Sequence, residues 1–369
     1  MHPLPQSPAP SPQSPACRPR LAITMGDPTG VGPEVIAAAW AEPRIQAACR
    51  PVVFGHPEIL RRAVAAAGSS AGVVEVARPE DAASVSNVIA CYRTGSDDAR
   101  AATPCQIDAR GGQAAYDALV AATDAALNHR VDGIVTAPLN KAALWQAGHH
   151  YPGHTELLAE LCGVAEVAMM LYLGSAAFTF PQAPAPSPQS QPRLRGLGVV
   201  HVTLHTALRN VFGELTGAKI LEKARLVDGI MTRLNGVRPT IGVCALNPHA
   251  GEEGLFGDEE QRIIAPAVAK GIAEGLPLVG PLSADTLMVR ARDGEFDAVV
   301  AMYHDQGHIA LKLLGMHYAV NITLGLPIVR TSVAHGTAFD LAWQGKADHR
   351  SMIEAIEVAV RLVATRPSP

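Results

Sequence analysis

The sequence predicts an α/β protein built on a mainly parallel sheet with helices on both faces. Short β-rich runs alternate with Ala/Leu-rich helical stretches along most of its length, and that alternation is the pattern of strand–helix–strand units. The chain has 369 residues and is 48% hydrophobic, enough for two domains or one large one around a real core. Histidines, lysines and glycines stand directly after the apolar runs. In parallel sheets, ligands gather outside the carboxyl ends of the strands.

Taken in order, the strand-like runs are "RLAITM", "PVVFG", "VDGIVTAP", "VAMMLYL", "LGVVHVTL", "TIGVCAL", "FDAVVAMY" and "YAVNITLG". They are rich in Val, Ile and aromatic residues and short enough to be buried strands. Between them, "PEVIAAAWAEP", "AAYDALVAATDAALNHR", "GHTELLAELCG" and "LTGAKILEKARLVDGIMTRL" carry helical periodicity. Two segments fall outside the alternation. Residues 3–19 and 181–193 are rich in Pro, Ser, Gln and Ala, and "PAPSPQS" occurs at 8–14 and again at 184–190. Such composition buries too little apolar surface to offset chain entropy, so a disordered tail (1–19) and a disordered loop insertion (181–193) are expected.

Charge and cysteine usage exclude several function classes. The 30 Lys+Arg against 34 Asp+Glu form no block of like charge, which argues against nucleic acid or a membrane surface as partner. No apolar run is long enough to span a bilayer, and the first twenty residues lack an apolar signal core, so a cytoplasmic location is expected. Six scattered cysteines, without a C-x-x-C pair, read as reduced thiols.

The first strand run is followed by "TMGDPTGVGPEV", where Gly26, Gly30 and Gly32 permit a tight turn and Pro33–Glu34 opens a helix. An anion contact and a structural turn fit it equally well. It is neither a Walker A loop nor a G-x-G-x-x-G fingerprint. After "VDGIVTAP" come Lys141, a possible anion contact, and His154 with Thr155 at a helix start, where a hydroxyl can cap and a ring can reach a ligand. His205, His249 and His304 each follow a strand run and should converge on one edge of the sheet. Three imidazoles with open positions suit a divalent metal that polarises an alcohol or carbonyl oxygen. His201 and His308 are set aside, because His201 lies on a strand run and the "HDQG" turn after His304 is expected to break any helix. Lys312, Asn321 and Arg330 follow at wide spacing, and the two cations suit a phosphate or carboxylate. Asp285, in "GPLSADTL", adds a carboxylate near the expected metal.

"TMGDPTGVGPEV", "TAPLNK", "YPGHTE", "LNPHAGEEGLFGDEE", "GPLSADT", "AMYHDQGHIALK" and "VNITLGLPIVRTSVAHGTAFDLA" together resemble the 4-hydroxythreonine-4-phosphate dehydrogenase family of vitamin B6 synthesis, from about residue 20 to the C-terminus. The resemblance implies the isocitrate/isopropylmalate dehydrogenase-like fold: two α/β/α domains, 20–137 with 318–369 and 138–317, and an active site in the cleft between them. It implies a homodimer whose site is shared across the interface, with one divalent ion (zinc, magnesium or cobalt) held by His205 and His249 of one subunit and His304 of the other. His154, Thr155, Lys312, Asn321 and Arg330 would contact the phosphorylated substrate. NAD or NADP would lie against "NITLGLP" and "HGTAFD", which brings in Asn321, Leu324, Gly325, His335, Gly336 and Asp340. Tail, insertion and His308, which stands where an apolar residue is expected, depart from the pattern.

The reaction so implied is oxidation of the C3 hydroxyl of 4-phosphohydroxythreonine by NAD(P)+, then decarboxylation, with Lys312 or Asp285 as the catalytic base. A sibling dehydrogenase acting on 4-phospho-D-threonate or 4-phosphoerythronate is the nearest alternative. A zinc-dependent lyase or phosphatase is the alternative of another class.

Overall fold

The computed structural model describes residues 18–177 and 195–366. The insertion expected at 181–193, and all of the tail but residues 18–19, lie outside that range. Among the described residues no helix is long and apolar enough to cross a membrane.

Twelve strands form one continuous sheet. In chain order they are β1 (Arg20–Thr24), β2 (Arg50–Gly55), β3 (Gly72–Val76), β4 (Val88–Arg93), β5 (Gly133–Thr136), β6 (Ala168–Leu173), β7 (Leu197–His201), β8 (Ile241–Cys244), β9 (Leu278–Leu282), β10 (Ala298–Ala301), β11 (Val320–Leu324) and β12 (Val329–Val333). Their order across the sheet is β3-β4-β2-β1-β5-β12-β11-β6-β7-β10-β8-β9. One side therefore draws on residues 20–136 and 320–333, the other on residues 168–301.

Pairing is parallel on both flanks and antiparallel in the middle, where β12, β11, β6 and β7 meet. Central strands such as β5, β8 and β10 are buried along their whole length, as strands covered by helices on both faces must be. The four helical stretches expected from periodicity form helices at Gly32–Trp40, Ala109–Leu127, His154–Leu161 and Gly217–Asn235.

β3, β4, β9 and β12 escape the apolar-run pattern, and for three of them the reason is identifiable. β3 is an edge strand with a largely exposed GVVEV pattern, and β9, at the other edge, contains Gly280 and Pro281. β12 reads VRTSV and buries an arginine. No hydropathy pattern marks such a strand as interior.

The "TMGDPTGVG" turn braces the fold. Asp27 is buried and accepts from the Thr29 amide and hydroxyl at 2.9 and 2.7 Å. The amides of Asp27, Gly30 and Val31 bond the carbonyls of Pro138, Asp27 and Thr337. A Cβ on Gly26, where φ is +68°, would lie 2.3 Å from the Pro138 carbonyl oxygen. These amides serve the protein itself, which makes the turn structural and not an anion cradle. It ties together segments 137–138 and 337, both beside the cleft described below.

Gly112 does the same for the helix that starts at Lys141. A Cβ there would lie 2.1 Å from the Ala143 carbonyl oxygen. Gly112→Ala should therefore destabilise the fold by about 1–3 kcal/mol despite alanine's better helix propensity. Urea unfolding measures it directly, and an unchanged midpoint would show that the two helices separate without cost.

Candidate active site

A cleft of about 410 Å³ opens over the antiparallel centre of the sheet. The pairing register explains which residues face it. Asn321 on β11 is opposite Leu171 on β6 and Ser332 on β12, and Ser332 is opposite Thr136 on β5. Cross-strand neighbours share a face, and all four line the cleft. One row further along the same face, Met169, on the strand next to β11, and Arg330 also line it. Part of the site is thus the open face of the sheet, in addition to the strand ends expected of a purely parallel sheet.

Arg330 is the deepest charge. It is 2% exposed and donates from its two terminal nitrogens to Thr323 Oγ1 at 2.8 Å and Thr136 Oγ1 at 2.6 Å. Its Nε is buried without a partner. Burial pushes the guanidinium down to about 9, against the opposing pull of Glu156, so it remains charged at neutral pH. Asn321 Oδ1 and His335 Nε2 are likewise buried and unpartnered, and both residues line the cleft. Unsatisfied polar atoms converging on one cavity are the mark of a ligand site.

From the opposite wall come the helix starts. The helix His154–Leu161 follows Gly153, which caps it without a side-chain bond, so Thr155 is not the N-cap and its hydroxyl is left to the cleft. Burial, then the charges of Arg330 and Lys141, hold the His154 imidazole well below its ordinary value. It is neutral at pH 7. The sign of the linkage follows: stability from this group is complete above about pH 6.5 and is lost as pH falls, because the unfolded chain takes up the proton first. His154→Gln should flatten that acid loss by up to about 1.4 kcal/mol per pH unit, read from urea midpoints between pH 7.5 and 5. Parallel curves for the two proteins would refute the assignment.

The "HDQG" segment does not break a helix. It opens one, His304–Gly315. His304, His308 and Lys312 then fall at i, i+4 and i+8 on one face, and His308 and Lys312 line the cleft. The reading that set aside His201 and His308 is also corrected. The two rings meet in the interior, His308 Nδ1 lying 3.1 Å from His201 Nε2, and His308 stacks on His304 with centroids 3.8 Å apart. Burial, then the charges of His304 and Lys312, push His308 down to about 4. A histidine in an otherwise apolar register was the available signal.

Among the expected metal ligands, β7, β10 and β8 lie side by side and parallel, so His205, His304 and His249 do emerge at one edge of the sheet. His205 and His304 have ring centroids 6.1 Å apart, and His205 lines the cleft. His304 Nδ1 is 2.6 Å from the Asp305 carboxylate, which leaves Nε2 free. His249 stands apart, exposed beside Phe256 in a loop whose residues 249–253 all have left-handed backbone. Among the described residues of one chain, no three His, Cys, Asp or Glu side chains gather to hold an ion.

Lys312, Asn321, Arg330, His154, Thr155, His335 and Gly336 all line the cleft; Asp285, Leu324, Gly325 and Asp340 do not. Asp285 is exposed, bonded to Ser283 Oγ and the Thr286 amide, which hold its carboxyl below the usual range. Leu324 is 3% exposed in the core, and a Cβ on Gly325 would meet the Glu166 carbonyl at 2.3 Å, so both serve packing. Asp340 is exposed. Sequence reasoning passed over Glu156, the one carboxylate lining the cleft among the described residues. Its place in the first turn of the helix after "YPGH" was the clue.

A family model described as "Pyridoxal phosphate biosynthetic protein PdxA" matches residues 47–359. A 4-hydroxythreonine-4-phosphate dehydrogenase of Geobacter metallireducens is 46% identical over 96% of this chain and 98% of its own. A D-threonate 4-phosphate dehydrogenase of Pectobacterium atrosepticum is 42% identical over 93% of this chain and 98% of its own. The crystal structure of a 4-hydroxythreonine-4-phosphate dehydrogenase from Klebsiella pneumoniae superposes with a TM-score of 0.79 at 41% identity, covering 94% of this chain and 99% of that one.

Proposed function

The chain belongs to the pyridoxal phosphate biosynthetic protein PdxA family, and from that premise we propose that it is an NAD(P)-dependent dehydrogenase that oxidises the C3 hydroxyl of a 4-phosphorylated four-carbon acid. The first candidate substrate is 4-phosphohydroxythreonine, giving 2-amino-3-oxo-4-phosphooxybutanoate, which loses carbon dioxide to leave 3-amino-2-oxopropyl phosphate. The observation that carries this reading is the buried, ligand-poor Arg330 at the base of a cleft also lined by His154, Thr155, Lys312 and Asn321. A desolvated guanidinium between two hydroxyls fits a phosphate dianion.

His205 and His304 would hold the cation. Their ring separation of 6.1 Å is close to the roughly 5–6 Å of two imidazoles on one ion with metal–nitrogen distances of about 2.1 Å. His249 is too isolated to join them from the same chain, so the third ligand fits best as His249 of the partner subunit, rather than a division that sends His304 across. Exposed Leu208, Phe212, Leu255, Phe256 and Leu313 stand on the segments that follow β7, β8 and β10, around these histidines. An apolar surface there supports a homodimer closed over the site. A divalent cation held there, zinc, magnesium or cobalt, would supply Lewis acidity at the C3 hydroxyl and at the ketone formed from it, and bound NAD or NADP would supply the hydride acceptor.

Arg330, His154 and Thr155 orient the phosphate, and Lys312 is the cleft group placed to accept the C3 proton. Asp285 lies outside the cleft of its own chain and could act only from a partner. His335 and Gly336 form the part of the cleft suited to the nicotinamide cofactor. The location is cytoplasmic, where such phosphorylated acids and NAD(P) are found together.

D-threonate 4-phosphate is the second substrate, favoured by the excess of cations in the cleft. The deciding experiment is absorbance at 340 nm with each acid, NAD+ or NADP+ and a divalent cation. Reduced cofactor formed with either acid supports the proposal. Release of phosphate or aldehyde with no 340 nm signal points instead to a lyase or phosphatase.

A further inference from the structure

We propose that Glu34, a buried carboxylate outside the cleft, is a positioning residue for the nicotinamide cofactor: it accepts from two backbone amides of the connection 334–349 and so holds the cleft residues His335 and Gly336 in the shape that receives the dinucleotide. The inference rests on the NAD(P)-dependent reaction proposed above and adds to it a residue that touches neither substrate nor cofactor.

Residues 334–349 link β12, which ends at Val333, to the helix that begins at Arg350, and they contain neither helix nor strand. A connection of that length keeps one shape only where something outside it fixes it, and such connections commonly carry binding groups. Its first residues face the cleft: His335, whose Nε2 is buried and unpartnered, and Gly336, where an added Cβ would meet nothing within 4 Å. Among the described residues, the His335 side chain bonds only the Gly336 carbonyl beside it, from Nδ1 at 2.9 Å. Where these two residues sit is therefore set by the points at which the rest of the connection is tied.

The ties lead to the "TMGDPTGVGPEV" segment. The Val31 amide donates to the Thr337 carbonyl at 3.0 Å, and the Trp343 indole N–H donates to the Pro28 carbonyl at 3.1 Å. Glu34, 2% exposed in the first turn of the helix Gly32–Trp40, supplies the remaining ties. One of its oxygens accepts from the Trp343 amide and the other from the Gly345 amide, the latter at 2.7 Å. Trp343 has φ +62°, which a residue with a side chain adopts only where its surroundings impose it. A carboxylate in the interior is unfavourable on its own, and amides offset that only while the connection keeps this shape. Carboxylate and connection order each other. Glu34 does not line the cleft, so its loss reaches the cofactor through the connection alone.

The test is Glu34→Gln in the full-length enzyme with divalent cation, followed at 340 nm. The glutamine keeps one accepting oxygen and turns an N–H toward an amide that is itself a donor. If the receiving shape then persists in about one molecule in ten, the KM for NAD+ or NADP+ rises about tenfold. The kcat at saturating cofactor and the KM for the phosphorylated acid should stay within about threefold. The rise in melting temperature caused by NAD+ or NADP+ alone should shrink in the variant, while that caused by inorganic phosphate should not. Should Glu34→Gln melt below the assay temperature, Trp343→Phe, which removes the indole bond to Pro28, carries the test with the same pattern at about threefold. A fall in kcat with both KM values unchanged, equal rises in the two KM values, or unchanged kinetics would each overturn the assignment. A wild type that forms no reduced cofactor yet is stabilised by NAD+ or NADP+ overturns the reaction and leaves the positioning role to the melting data. One that shows neither overturns both.

Discussion

Replacing Arg330 with methionine lowers kcat/KM by roughly 10²–10³-fold while leaving the protein as stable as before, or slightly more so. Two charge-assisted hydrogen bonds to a phosphate are worth about 1.5–3 kcal/mol each, of which a flexible Lys at another position recovers only part. In the free protein the same guanidinium is a liability. It is buried, its Nε has no partner, and it makes no salt bridge within 4.0 Å among the described residues. Replacing such a charge with an apolar side chain of similar length is neutral or stabilising by about 1 kcal/mol or more. The small loss is that the Thr136 and Thr323 hydroxyls give up a donor. Two measurements read the prediction together. Inorganic phosphate should raise the melting temperature of the wild type by mass action and leave that of Arg330→Met unmoved. A variant that unfolds readily, or one that keeps its phosphate-dependent shift, would contradict a ligand role for this side chain.

His249→Ala should bring turnover to background, a loss of 10³-fold or more if the cation supplies several kcal/mol of the barrier reduction. Metal content measured on the purified protein should fall with it. Stability of the metal-free protein should change by no more than about 0.5 kcal/mol, because within its own chain the side chain is exposed. Mixing experiments add the arrangement across subunits. If His205 and His304 act from one protomer and the partner supplies His249, a hybrid of His205→Ala and His249→Ala subunits contains one intact site and regains activity. If His205 and His249 act together from one protomer, no hybrid of those two variants has an intact site, and mixing restores nothing. Full activity of His249→Ala in metal-free buffer would remove the metal from the mechanism.

The order of secondary structure was legible wherever a local pattern reports burial. "AVVA" and "GIVT" are short, rich in β-branched residues and nearly all apolar, as covered strands are, and "AAYDALVAATDAALNHR" has the period of a helix packed on one side. The strand-end histidines were legible for the same reason, since a chain leaving a buried parallel strand must emerge at its carboxyl edge. β12 was not legible, because its arginine and serine face a cleft that exists only once β5 and β11 lie on either side of it, while its threonine is buried on the other face and donates to the Ala355 carbonyl. Nor was the helix at His304. "HDQG" reads as weak for a helix because of its glycine, and that glycine is required by packing, since a Cβ on Gly307 would lie 2.5 Å from His201 Nε2.

What the sequence determined alone is therefore everything set by residues within a few positions of one another: the α/β class, the helices with a clear period, and the supply of imidazoles and cations beside the strands. Tertiary structure alone decided which of them meet. It turned β6 and β11 antiparallel at the centre of the sheet, opened the cleft over that face, clamped His308 against His201 across 107 residues, and left Asp285 and His249 outside. Side-chain direction and strand pairing are long-range quantities, settled by how distant segments close on one another, and no local pattern encodes them.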